Sequence, residues 1–234
     1  MNIVITGASK GIGYETAKLL ASNPDNSVVA IARDKELLNR LKEACVPTAS
    51  LIPVCFDLSG DYNKFENELG PLIFNHMEKV DVLINNAGYL VNKSFADMDS
   101  CDVEEIFKVN VFGVMSLIKL LSPHMGGATK SHIVNIGSMG GFQGSKKFPG
   151  LAAYSASKGA LSILSECLAE EFNEKNIAVN CLAIGSVNTE MLNKAFPGLH
   201  SNVESVQMAR YIAKFCEEGK DLINGKVVPV SLSL

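Results

Sequence analysis

Short apolar runs rich in β-branched residues alternate along the chain with longer segments whose apolar positions recur at helical spacing. Residues 3–6, 27–32, 50–55, 80–84, 132–136, 178–182 and 226–230 read as strands. The run Val28-Val29-Ala30-Ile31-Ala32 has no polar side, as expected of a strand covered on both faces. Segments 12–21, 35–44, 62–77 (broken at Pro71), 103–121, 152–173 and 203–217 read as helices. Strand and helix alternate without a linker, repeat or low-complexity tract. The pattern predicts an α/β fold: one doubly wound Rossmann domain over 1–234, with a seven-stranded, mostly parallel sheet and helices on both faces.

Segment 103–121 carries apolar residues around nearly its whole circumference, among them Ile106, Val109, Phe112, Met115 and Leu120. A helix without a polar face has to bury more than one side, either deep within one subunit or between the sheet and a second subunit. Composition narrows the field. Twenty-one Lys and Arg against 25 Asp and Glu give a net charge of −4, which leaves no domain-wide basic surface for nucleic acid. The six cysteines (Cys45, Cys55, Cys101, Cys167, Cys181 and Cys216) form no CxxC pair, so neither a metal site nor a disulfide framework is expected. Met1-Asn2 leads directly into the first apolar run, and no uninterrupted apolar stretch has the length of a membrane span. A cytoplasmic protein with reduced thiols, away from membranes, is the expectation.

The first strand runs into Thr6-Gly7-Ala8-Ser9-Lys10-Gly11-Ile12-Gly13, and a helix follows. Glycines there permit a tight turn and close approach of backbone to a pyrophosphate, while the helix N-terminus offers free N–H groups. Where the second strand ends, Arg33 stands in place of the acidic residue that would hold ribose hydroxyls. Asp34, directly before a helical segment, reads instead as an N-cap. Arg33 and Lys10 together favour a 2′-phosphate, hence NADP(H) over NAD(H). Further small or polar clusters follow the later strands: Asp57-Leu58, Asn86-Ala87-Gly88, Gly137-Ser138 and the stretch from Gly185 through Val187 to Thr189. All would lie on the carboxyl edge of the sheet, where open α/β folds bind ligands.

The densest chemistry is Tyr154-Ser155-Ala156-Ser157-Lys158. Four residues apart on a helix, tyrosine and lysine share a face. A phenol titrating near 10 needs a downward shift of about 2–3 units to exchange protons near neutrality, or roughly 3–4 kcal/mol. An ammonium about 4 Å away at an effective dielectric of about 20 supplies about 4 kcal/mol, enough without a metal.

The ordered set TGASKGIG, NNAG, Asn110, Ser138 and YSASK resembles the short-chain dehydrogenase/reductase family, and the likeness extends over essentially the whole chain. The resemblance implies Tyr154 as general acid/base and Lys158 as the group that lowers its pKa and binds the nicotinamide ribose. It implies Ser138 as hydrogen-bond donor to the substrate oxygen and Asn110 as holder of a relay water. An asparagine inside an apolar helix needs its amide satisfied, which agrees with such a place. It also implies dinucleotide contacts at Gly7, Ser9, Lys10, Gly11, Ile12, Gly13, Arg33, Asp57, Leu58, Asn86, Ala87, Gly88, Tyr154, Lys158, Gly185, Val187 and Thr189, with a substrate loop over roughly 186–205. The implied reaction interconverts a carbonyl and a secondary alcohol on a small molecule. A non-catalytic dinucleotide-binding regulator and an isomerase or epimerase are the alternatives. A homodimer or homotetramer is implied by the pairing of segments 103–121 and 152–173 across a two-fold axis. Three features depart from the family pattern: Ile184 where proline is usual, a longer interval from Ser138 to Tyr154, and the ending Val230-Ser231-Leu232-Ser233-Leu234.

Overall fold

Side chains alternate across each strand, and that alternation sorts the apolar residues of this chain into two cores on the two faces of one sheet. The structure, a computed structural model, describes residues 1–232; Ser233 and Leu234, part of the unusual ending, lie outside the described residues. The strands are β1 (Asn2–Thr6), β2 (Ser27–Ala32), β3 (Ser50–Cys55), β4 (Val82–Asn85), β5 (Ser131–Ile136), β6 (Ile177–Ile184) and β7 (Val227–Val230). Their order is β3-β2-β1-β4-β5-β6-β7, and every neighbouring pair is parallel, so the sheet is wholly rather than mostly parallel. In register, Val4 lies beside Val29 and Leu83. These three point with Ile133 and Val179 into one core, while Ile3, Ile5, Val28, Ala30, Ile84 and Val134 point into the other.

Helices α1 (Gly11–Ala21), α2 (Lys35–Glu43), α3 (62–74), α4 (100–121), α5 (Ala152–Glu171), α6 (Glu190–Ala195) and α7 (Ser205–Leu222) complete the fold. The first core takes Phe65 of α3, Leu117 of α4 and Leu161 of α5; the second takes Leu20 of α1, Leu38 of α2 and Ile212 of α7. Asp34 caps α2 as expected, accepting from the Leu37 N–H at 3.0 Å.

Two helices widen into π turns. In α3 the turn Phe65–Leu69 ends two residues before Pro71, whose ring and missing N–H prevent a regular ladder. In α4 the turn Lys108–Phe112 buries Val109, Asn110 and Val111 together. This corrects the picture of α4 as apolar all round. Its covered residues face the sheet and α5, while Glu104, Lys108 and Lys119 reach solvent beside Phe112 and Met115. The helix Ser100–His124 has the length and hydropathy of a membrane span, but 61% of its most apolar window is buried inside this fold.

The 186–205 stretch is not only loop. Thr189 accepts from the Leu192 N–H at 3.2 Å and starts the short helix α6. Ile184, where proline is usual, keeps its N–H and extends β6 alongside Val230. The added residues between Ser138 and Tyr154 form a turn bonded to itself, with Ser145 donating to the Phe142 carbonyl at 2.9 Å and Lys147 to Ser145 at 2.8 Å.

Candidate active site

Because all seven strands run the same way, every polar cluster picked out by the sequence opens on one edge. Beyond β1 the connections turn to β2 and β3 on one side and to β4 on the other, and a crevice opens between the β1 and β4 ends. The glycine turn follows β1. Gly7 holds φ +67°, and a Cβ there would come within 2.8 Å of the Ala87 Cα; a Cβ on Gly13 would come within 2.2 Å of the Gly7 carbonyl oxygen. Only glycine permits this approach. Thr6 locks the two sides together: its hydroxyl oxygen accepts from the N–H groups of Asn86 (3.1 Å) and Ala87 (3.0 Å). The Asn86 side chain returns the tie by donating to the carbonyls of Thr6 (3.0 Å) and Gly7 (3.3 Å). Among the described residues no side chain caps α1, so its first-turn N–H groups suit an anion such as a pyrophosphate. A cradle cleared of side chains next to these donors fits a dinucleotide.

The other predicted contacts surround that cradle. Ser9 and Ile12 are half-buried on the turn, Leu58 is buried and Asp57 is exposed. Gly88 stands equidistant from two polar groups: a Cβ on it would lie 3.6 Å from both Asn110 Oδ1 and Lys158 Nζ. Val187 is buried in the second core, Gly185 bonds the Val230 carbonyl through its N–H at 2.9 Å, and the Thr189 methyl lies against Gly11. Of the two expected phosphate-binding cations, Arg33 is exposed and 3.9 Å from Asp57. Lys10 is not free: its ammonium meets Glu190 of α6 at 2.6 Å, and the carboxylate raises its pKa.

Tyr154 and Lys158 share a face of α5, and the Lys158 ammonium is 6.0 Å from the centre of the Tyr154 ring. The ammonium donates to the Ile136 carbonyl at 2.8 Å, and burial pulls its pKa down to about 8. Tyr154 differs from the expectation of a lowered phenol. Burial raises its pKa, and only its hydrogen bond with Ser138 acts in the opposite direction. The reason is geometric: the ammonium turns toward β5 rather than toward the phenol oxygen, so desolvation decides. Asn110, wholly buried in the π turn of α4, has its amide satisfied as the sequence required. It accepts from the Tyr89 N–H (2.7 Å) and donates to the Tyr89 carbonyl and the Ser157 hydroxyl (both 2.9 Å). Behind α5, Asn135 accepts from Asn85 and donates to Ser165, each at 2.8 Å, and so fixes the helix to β4 and β5.

Comparison with known proteins follows the same outline. The family model described as short chain dehydrogenase matches residues 1–199. The chain belongs to the short-chain dehydrogenase/reductase family. It is 34% identical over 194 residues to a fatty acyl-CoA reductase of Acinetobacter baylyi, covering 81% of this chain but 63% of that protein. Against the pig protein named carbonyl reductase [NADPH] 2 the identity is 33% over 192 residues, covering 82% of this chain and 73% of the other. A crystal structure of 3-ketoacyl-(acyl-carrier-protein) reductase from Brucella melitensis, complexed with NADH, superposes with a TM-score of 0.87 at 25% identity, covering 98% of this chain and 96% of that one. As a member of the family the chain is a nicotinamide-dinucleotide-dependent oxidoreductase for carbonyl or alcohol groups of small molecules.

The sequence reading gave no role to Glu190, Thr6, Tyr89 or Ser157, each of which holds a predicted residue in place. Thr6 and Ser157 carried a signal, since they lie inside TGASKGIG and YSASK; Glu190 and Tyr89 carried none.

Proposed function

We propose that this protein is an NADP(H)-preferring reductase that converts a carbonyl group of a small molecule into a secondary alcohol. The observation that carries the reading is the juxtaposition of a phenol bonded to Ser138 with a buried ammonium one helical turn away. A bound dinucleotide supplies the hydride that the carbonyl carbon accepts. Ser138 donates a hydrogen bond to the carbonyl oxygen and positions it at the Tyr154 hydroxyl. Burial keeps that phenol protonated, so Tyr154 delivers its proton as negative charge grows on the oxygen. Lys158, charged below about pH 8, stabilises the phenolate left behind and reaches the nicotinamide ribose. Asn110 uses both amide protons on Tyr89 and Ser157, and a relay water would bond the remaining lone pair of its Oδ1.

Gly7, Ser9, Gly11, Ile12, Gly13, Asp57, Leu58, Asn86, Ala87, Gly88, Gly185, Val187 and Thr189 line the dinucleotide in this reading, and Arg33 and Lys10 face its 2′-phosphate. α4 exposes Phe112 and Met115, and the outward side of α5 exposes Ala152, Ala156 and Ile163. Beside it a cavity of about 630 Å³ is walled by Phe95 and Phe148. A second copy of the chain would cover these apolar side chains, and light scattering would then give a mass of at least twice 25.1 kDa. The catalytic reading is tested by following NADPH oxidation against a panel of ketones and aldehydes. Turnover with formation of the alcohol is expected. Tight NADPH binding without turnover of any member would overturn it in favour of a non-catalytic binder.

A further inference from the structure

The ion pair between Lys10 and Glu190 has no part in the reaction outlined above, yet it spans the two sides of the crevice. Lys10 belongs to the glycine turn after β1; Glu190 is the first residue of α6, which follows β6. Their charged groups are 2.6 Å apart. The contact is reinforced next door, where a Cβ on Gly11 would lie 3.4 Å from the Thr189 methyl. The far end of α6 is held too, by the Asn92 side chain donating to the Ala195 carbonyl at 2.7 Å. α6 is therefore tied at both ends to loops of the ligand-binding edge. The crevice's two cations differ in what they can offer a ligand. Arg33 is 3.9 Å from its carboxylate, beyond hydrogen-bond length, whereas Lys10 donates directly to its carboxylate at 2.6 Å.

We propose that Glu190 competes with the 2′-phosphate of the cofactor for Lys10, and thereby sets how strongly the protein discriminates NADPH from NADH. The inference rests on the NADP(H) reading given above. A phosphate monoester carries roughly −1.5 to −2 charge near neutrality, more than one carboxylate, so Lys10 turns to the phosphate when it arrives. Its bond to Glu190 has to break first, and that loss is subtracted from NADPH binding. NADH makes no such demand and leaves the pair intact. Both side chains are mostly exposed, at 53% for Lys10 and 73% for Glu190, so the pair is weak. The expected penalty is about two- to fivefold in Kd.

Fluorescence titration of NADPH and NADH into the full chain and its Glu190→Gln variant at one ionic strength reads this directly. NADPH should bind the variant about two- to fivefold more tightly, with NADH unchanged. A second pair of variants separates competition for Lys10 from general repulsion by the carboxylate. In a Lys10→Met background, Glu190→Gln should no longer affect NADPH. Equal tightening for both cofactors, no change for either, or an undiminished effect in the Lys10→Met background would each overturn the proposal. A wild-type protein without NADPH preference that gains one on Glu190→Gln would support the competition while overturning the cofactor reading.

Discussion

Lys10 and Lys158 serve the same edge of the same sheet, and their surroundings push them in opposite directions. Lys10 lies in solvent against Glu190, which holds its pKa above the ordinary lysine value. Lys158 is buried under α5 with a backbone carbonyl as its hydrogen-bond partner, and its pKa falls to about 8. A neutral carbonyl satisfies an ammonium geometrically but does not cancel its charge, so burial wins there. The contrast shows how one fold obtains two kinds of cation from one residue type. The exposed one can be exchanged between anions; the buried one is fixed in place, with a charge that depends on pH near neutrality.

The comparison breaks most visibly at Lys158. Lys158→Ala should lower reductive kcat/KM by about 10²–10⁴-fold and weaken cofactor binding, since it removes a charge and a ribose contact together. The sign of the pH dependence follows from the direction of the shift. Below about pH 8 Lys158 is protonated and supports the phenolate; above it the charge is lost. Wild-type reductive kcat/KM should therefore decline as pH rises through about 8. A Lys158→Arg variant, which stays charged, should lose that limb of the profile, and a limb that persists in it belongs to another group.

A smaller effect sharpens the exposed side of the contrast. Arg33→Ala should weaken NADPH by about tenfold, the size of one charge-assisted contact of roughly 1.4 kcal/mol, and leave NADH nearly unchanged. Matched losses for both cofactors would remove Arg33 from the 2′-phosphate site.

Elements were legible in the sequence because their causes are local. The apolar run Val28–Ala32 names a buried strand whatever surrounds it, and Asp34 before Lys35-Glu36-Leu37 names a cap that the structure shows at 3.0 Å. Asn110 also declared itself, since a carboxamide in an apolar helix demands partners. What stayed hidden depends on residues brought together from far apart. Glu190 follows Lys10 by 180 positions, and nothing near either residue foretells their meeting. The Lys158 ammonium was expected beside the phenol, yet it donates to the Ile136 carbonyl at 2.8 Å. The π turn in α4 has no periodic signature either; it is visible only once Asn110 is seen reaching Tyr89 and Ser157.

The central claim is that Tyr154 supplies the proton, and single-site removal of its hydroxyl tests that most directly. Tyr154→Phe keeps the ring and its packing while deleting the hydroxyl, the one group of this side chain that the mechanism uses. NADPH should bind the purified variant with wild-type affinity, and its steady-state carbonyl reduction should fall by about 10²–10⁴-fold. A variant that binds NADPH normally and still reduces its substrate at more than roughly a tenth of the wild-type rate would contradict the account and move the proton donor elsewhere.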